Sequence, residues 1–196
     1  MKTRTKVAVL GLVMAMVFCY GGIVGADSSV ATGAAAGIGG AGASADLYFQ
    51  IAIPSFIYFK VGSVSGVDTV DFQPTPNDVA TGAATSASGG TGVVDVVLLS
   101  NAGQITIDEA NNGGGNGLSD GGTNYISWSQ IVATSSVPGL DPPQLSDIGV
   151  NTSIIATTSG NITDKNTQWT YVYNNPATPP VSGIYTGTAT YTAAIP

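Results

Sequence analysis

From residue 46 onward the apolar positions recur mostly with a period of two. Leu47, Phe49, Ile51 and Ile53 alternate with Asp46, Tyr48, Gln50 and Ala52, which places four large apolar side chains on one face of an extended segment. Pro54 ends that run, since proline has no N–H to give to a ladder. Residues 55–62 predict a second strand with Ile57, Phe59 and Val61 on one face, and 67–73 predict a third, weaker one. Residues 74–92 are rich in Pro, Thr, Ala, Ser and Gly and read as a long loop. The β-branched, apolar run 93–101 (VVDVVLLSN) predicts a central strand. Asn101, Ala102 and Gly103 predict a hairpin turn into 104–109, where Ile105 and Ile107 share a face.

After the glycine-rich turn 111–122 (NNGGGNGLSDGG), residues 124–132 predict a strand that carries Ile126 and Trp128 together. Residues 135–150 contain Pro138, Pro142 and Pro143 and predict an irregular crossing. Strands are expected at 152–158 and 168–173, and a last one at 183–195. In the last, Tyr185, Ala189, Tyr191, Ala193 and Ile195 face one way, and Thr186, Thr188, Thr190 and Thr192 face solvent. No amphipathic helix is legible beyond residue 26. Seven to nine short strands with Gly/Pro turns predict an all-β, immunoglobulin-like β-sandwich or a barrel, and the long crossings at 74–92 and 135–150 favour the sandwich, with Greek-key connections.

The first 26 residues follow a different pattern. Lys2, Arg4 and Lys6 precede an apolar run from Val7 to Tyr20, and Val24-Gly25-Ala26 offers a cleavage site, the arrangement of a secretory signal peptide. Residues 27–45 are Ala/Gly/Ser-rich and predict a flexible arm, leaving 46–196 as a single domain. Of five basic residues, only Lys60 and Lys165 lie beyond the signal, against all 12 acids, a net charge of −10. So acidic a chain repels phosphate, which excludes nucleic acid as an expected partner. Cys19, the single cysteine, lies in the leader, so the exported chain has no disulfide to rely on. No membrane span is expected after cleavage.

The chain has no His, the commonest general base and metal ligand. The loop 111–122 nearly matches a calcium-binding β-roll turn, with one residue too many and no repeat, and otherwise reads as a hairpin tip. Asp108 and Glu109 are adjacent, hence on opposite faces of a strand, and read as a solvated strand end. Lys60 and Lys165 read as surface residues. Trp128, Trp169 and the tyrosines could stack on sugars or fill a core. Asn151-Thr152-Ser153 and Asn161-Ile162-Thr163 are formal glycosylation triplets. No catalytic residue, metal or cofactor is assigned, and an enzyme is not expected.

Two stretches carry a resemblance. DLYFQIAIPSFIYFKVGS (46–63) and SGIYTGTATYTAAIP (182–196) resemble the first and last strands of cysteine-free fimbrial subunits of the chaperone–usher class, the colonisation-factor type. The resemblance implies a bacterial surface location and self-assembly into a filament, with a periplasmic chaperone and an usher as partners. It implies a β-sandwich of immunoglobulin-like or fimbrial type, short of one strand, the gap being filled by the leading strand of the next subunit. Leu47, Phe49, Ile51 and Ile53 would be the side chains of that donor strand. The alternative is a secreted carbohydrate-binding module that uses Trp128, Trp169 or tyrosines.

Overall fold

The structure is a computed structural model that describes residues 43–64, 66–149 and 151–196. The expected signal peptide and most of the arm lie outside the described residues. The chain divides into two units, Met1–Ile53 and Pro54–Pro196. In the first, residues 43–53 belong to no helix or strand. The second is an all-β sandwich.

Its strands are β1 (Ile57–Val61), β2 (Ala84–Ser86), β3 (Val93–Ser100), β4 (Ile105–Asn111), β5 (Leu118–Ser119), β6 (Tyr125–Ile126), β7 (Ile131–Ser135), β8 (Asn151–Ile155), β9 (Thr163–Asn174) and β10 (Ala189–Ala194). All named pairs are antiparallel. Sheet A is built around β9. β3 lies along its first part, from Thr163 to Thr170, and β7 pairs with Trp169 to Tyr173. Thr170 bonds with both, so β3 and β7 flank β9 on opposite sides. β2 takes up β9 at Val172–Asn174 on the side of β3, and β1 covers the outer flank of β3. Sheet B is β10-β4-β8, and β5 and β6 form a small separate pair.

Alternation decides what lies between the sheets. Val94, Val96 and Leu98 from β3, and Trp169, Tyr171 and Tyr173 from β9, meet Ile105 and Ile107 from β4 and Ile155 from β8 in one core. Trp169 meets Tyr191 of β10 edge-on, with ring centroids 5.1 Å apart. Burying side chains of this size contributes about 1.5–3 kcal/mol each. On β10, Thr190 and Thr192 face solvent and Ala189, Tyr191 and Ala193 pack on the core, as the alternation requires.

Five local expectations are corrected. Residues 46–53 form no strand: among the described residues none is laddered to them. Residues 67–73 form none either: the Asp71 carbonyl accepts from the Ser88 N–H, and its own N–H donates to the Thr91 hydroxyl, while Val70 and Phe72 still pack on the core. The 74–92 stretch holds a short helix, α1 (Pro76–Thr81). Thr75 and Asp78 close its start as a reciprocal capping box, and Gly82 ends it in the left-handed region, φ 70°. In the expected strand 124–132, only Tyr125–Ile126 and Ile131–Val132 are strand; Trp128–Gln130 form a 3-10 turn.

The fifth is the expected β3–β4 hairpin, which is an arch between the two sheets. Both flanks of β3 are occupied, by β1 and β9, so β4 has no edge there to pair with. Gly103 (φ 97°) turns the chain. Its N–H donates to the Asn161 carbonyl, and its own carbonyl accepts from the Thr163 hydroxyl. Those bonds lead the chain across to sheet B.

Candidate functional site

The two lateral sides of the sandwich are unlike. One side, between β7 and β8, is closed by the crossing 136–149. Leu140, Pro143 and Leu145 of that crossing are buried. Its backbone and side chains also occupy the polar groups there. The Trp169 indole N–H donates to the Leu140 carbonyl at 2.8 Å, and the Gln144 amide donates to the Ala133 carbonyl of β7 at 2.9 Å. Asn151 at the start of β8 donates to the Gln144 carbonyl and to the Ser146 hydroxyl. This crossing is the proline-rich stretch that the sequence marks as irregular.

The other side lies between β1 and β10, which approach each other across the sandwich. Each is the outermost strand of its sheet. Their core-facing side chains are Ile57, Phe59 and Val61 on β1, and Ala189, Tyr191 and Ala193 on β10. All six pack on the core, and all six remain half-buried. On the strands just inside them, Val96, Leu98, Ile105 and Ile107 are completely covered. The core is therefore finished on the β7–β8 side and left partly open on the β1–β10 side. Ala189 and Ala193 contribute only methyl groups to that side.

The sequence-derived donor residues Leu47, Phe49, Ile51 and Ile53 are 76–86% exposed. Immediately after them the Asn101 carboxamide holds the chain twice, accepting from the Phe56 N–H and donating to the Pro54 carbonyl, both at 2.9 Å. Residues 54–56 are thereby fastened beside the end of β3, in line with β1.

The remaining candidates separate clearly. Trp128 and Trp169 are both buried, so neither offers a face to a sugar, and of the two readings of these residues core packing is the one the structure shows. The reading of Glu109 is corrected. The side chain is completely buried rather than solvated at a strand end, because it shares the parity of Ile105 and Ile107. Asp108, on the opposite face, accepts from the Thr152 hydroxyl.

In the loop 111–122, the Asp120 carboxylate is used by the turn itself, accepting from the Gly122 and Asn124 N–H groups and the Asn124 amide. Those bonds, the Asn124 amide first, hold its carboxyl below the usual range. A shallow hollow opens beside this loop between Asn112, Ser119, Tyr125 and Thr186. Lys165 donates to the Gly139 carbonyl, which ties β9 to the crossing. Among the described residues no group of three or more His, Cys, Asp or Glu is placed to hold a metal, and no helix is long and apolar enough to cross a membrane. Neither a family model, nor a curated protein, nor a solved structure matches this chain.

Proposed function

We propose that this chain is an exported structural subunit that assembles by strand exchange, with the 47–53 segment of one copy laid along the open β1–β10 side of the next. The observation that carries the reading is the pairing of two unfinished features: an alternating apolar segment with no ladder, and a core left half-covered along one side. Strand addition joins such features, because main-chain bonds fill the free edge and alternate side chains fill the gap. The lengths agree. Seven extended residues span roughly 23 Å, against roughly 17 Å for β1 and 20 Å for β10.

A second copy is favoured over the chain's own segment by the anchoring at Asn101. A tight reversal just ahead of β1 would have to break the bonds to Pro54 and Phe56. Exchange between copies is head-to-tail and does not close, so it builds a filament. On this reading the chain belongs at the bacterial surface, as the likeness of 46–63 and 182–196 to fimbrial subunits implies. A periplasmic chaperone and an usher would hold the open side before exchange. The four donor side chains contribute about 1.5–3 kcal/mol each on burial, before ordering costs.

The test is disulfide trapping. The signal-free chain carrying Ile51→Cys and Ala193→Cys, with no other cysteine present, should form a ladder of covalent oligomers under mild oxidation. A monomer that cyclises on itself, or no cross-link at any concentration, would overturn the proposal.

A further inference from the structure

Glu109 is the single glutamate of the chain, and it lies wholly inside the sandwich. One carboxyl oxygen, Oε1, accepts from the Asn111 amide at 3.0 Å; the other, Oε2, is buried without a partner. Among the described residues no cation faces it. On β10 the residue opposite is Tyr191, and on β8 it is Asn151. From β9 the Tyr171 hydroxyl reaches the Tyr191 hydroxyl at 3.1 Å. From the crossing, the Ser146 carbonyl accepts from the same Asn111 amide, and the Asp147 carboxylate is engaged by the Trp128 N–H at 2.7 Å. Buried Trp128 has its indole N–H unpaired.

The two lysines of the domain do not face the site. Lys165 is six residues from Tyr171 along β9, roughly 20 Å. Lys60 has the parity of exposed Tyr58, away from the core. A carboxylate in such a place lacks both a counter-ion and a full set of donors, and its charge costs far more than a neutral carboxyl would.

We propose that Glu109 is a proton-operated latch on sheet B: protonated, it is accepted between β8 and β10; ionised, it seeks water and loosens the ladder between β4 and β10. Burial pushes its carboxyl above the ordinary value of 4.5, and the Asn111 bond opposes this only in part. The sign follows from linkage. Folding stability is whole below the unfolded-state value and falls as pH rises through the folded-state value, tenfold in the unfolding constant for each unit between them. The latch does not rest on strand exchange, because it acts within one copy.

The experiment uses the chain labelled with carboxyl-¹³C glutamate, which yields one resonance. Its midpoint should lie above 4.5, and the protection of β10 amides against hydrogen exchange, corrected for intrinsic rate, should fall over the same pH range. In Glu109→Gln that fall should vanish. A carboxyl that titrates at or below 4.5 in the unaltered chain overturns the latch, as does a fall in β10 protection that persists in the variant. The resonance alone decides the matter if the variant does not fold.

Discussion

Replacing Phe49 by Asp tests assembly most directly, because the structure separates its effect on folding from its effect on association. Phe49 is 82% exposed, so the single copy loses almost nothing when the ring is removed, and its thermal midpoint should not move. Docked along β1 and β10, the ring would be buried. Its loss removes about 1.5–3 kcal/mol, and the introduced carboxylate adds a desolvation cost of the same sign. By the ring alone the dissociation constant should rise about 10- to 100-fold.

Parity supplies the control. Tyr48 is 79% exposed but points the opposite way in an extended segment, so Tyr48→Asp should leave association nearly unchanged. Sedimentation velocity of the chain from residue 27 onward, over a hundredfold range of concentration, measures both variants. Equal loss from the two substitutions would refute alternation as the basis of recognition. An unaltered chain that stays monomeric throughout would refute exchange itself.

Leu98→Ala, at a fully covered position of β3, should lower stability by about 2–5 kcal/mol, read from urea denaturation. Gly187→Ala should also destabilise, by about 1–3 kcal/mol, because its new Cβ would stand 2.4 Å from Cζ2 of buried Trp128; tryptophan fluorescence during unfolding reports it. At low pH the aspartates act with the opposite sign to Glu109. Hydrogen bonds from Ser63 to Asp68, from Thr75 to Asp78 and from Asn124 to Asp120 hold these carboxyls below their ordinary 3.8. Their contribution is present above 3.8 and lost as pH falls through the lowered values. The unfolding midpoint plotted against pH should therefore decline on both the acid and the alkaline flank, and Asp78→Asn should shorten the acid decline.

Alternation made most of the strands legible, and parity told which side chains meet. Ile105 with Ile107, and Trp169 with Tyr171 and Tyr173, lie in the core as their spacing requires. What alternation could not reveal was pairing partners. A three-residue turn at 101–103 is equally good for a hairpin or an arch, and only the occupation of both flanks of β3 settles it. The helix α1 did have a local signal, Thr75-Pro76-Asn77-Asp78, a capping box with proline at the first position, inside a stretch whose composition reads as loop. Glu109 also had its signal, since it is two residues from Ile107 and must face the same way. Its charge suggested solvent, and the residues that stand opposite it, Tyr191 and Asn151, come from distant parts of the chain. The closed side could not be read either, because Leu140 and Leu145 follow no period. The four residues at 47–53 were legible as an alternating set, while their exposure became visible only in three dimensions.

The strand order has a further consequence, for the time course of folding. Consecutive long strands do not pair: the chain changes sheets from β3 to β4, from β8 to β9 and from β9 to β10. β9 serves three neighbours in sheet A, yet it begins about sixty residues after β3 ends. At about 5–20 residues per second of synthesis, β3 waits several seconds for its inner partner, far longer than the microseconds a local hairpin needs to close. During that interval a strand apolar on both faces is uncovered. The nascent chain is thus sticky until late in synthesis, and the arrival of the tyrosine-rich β9 is the event that completes sheet A.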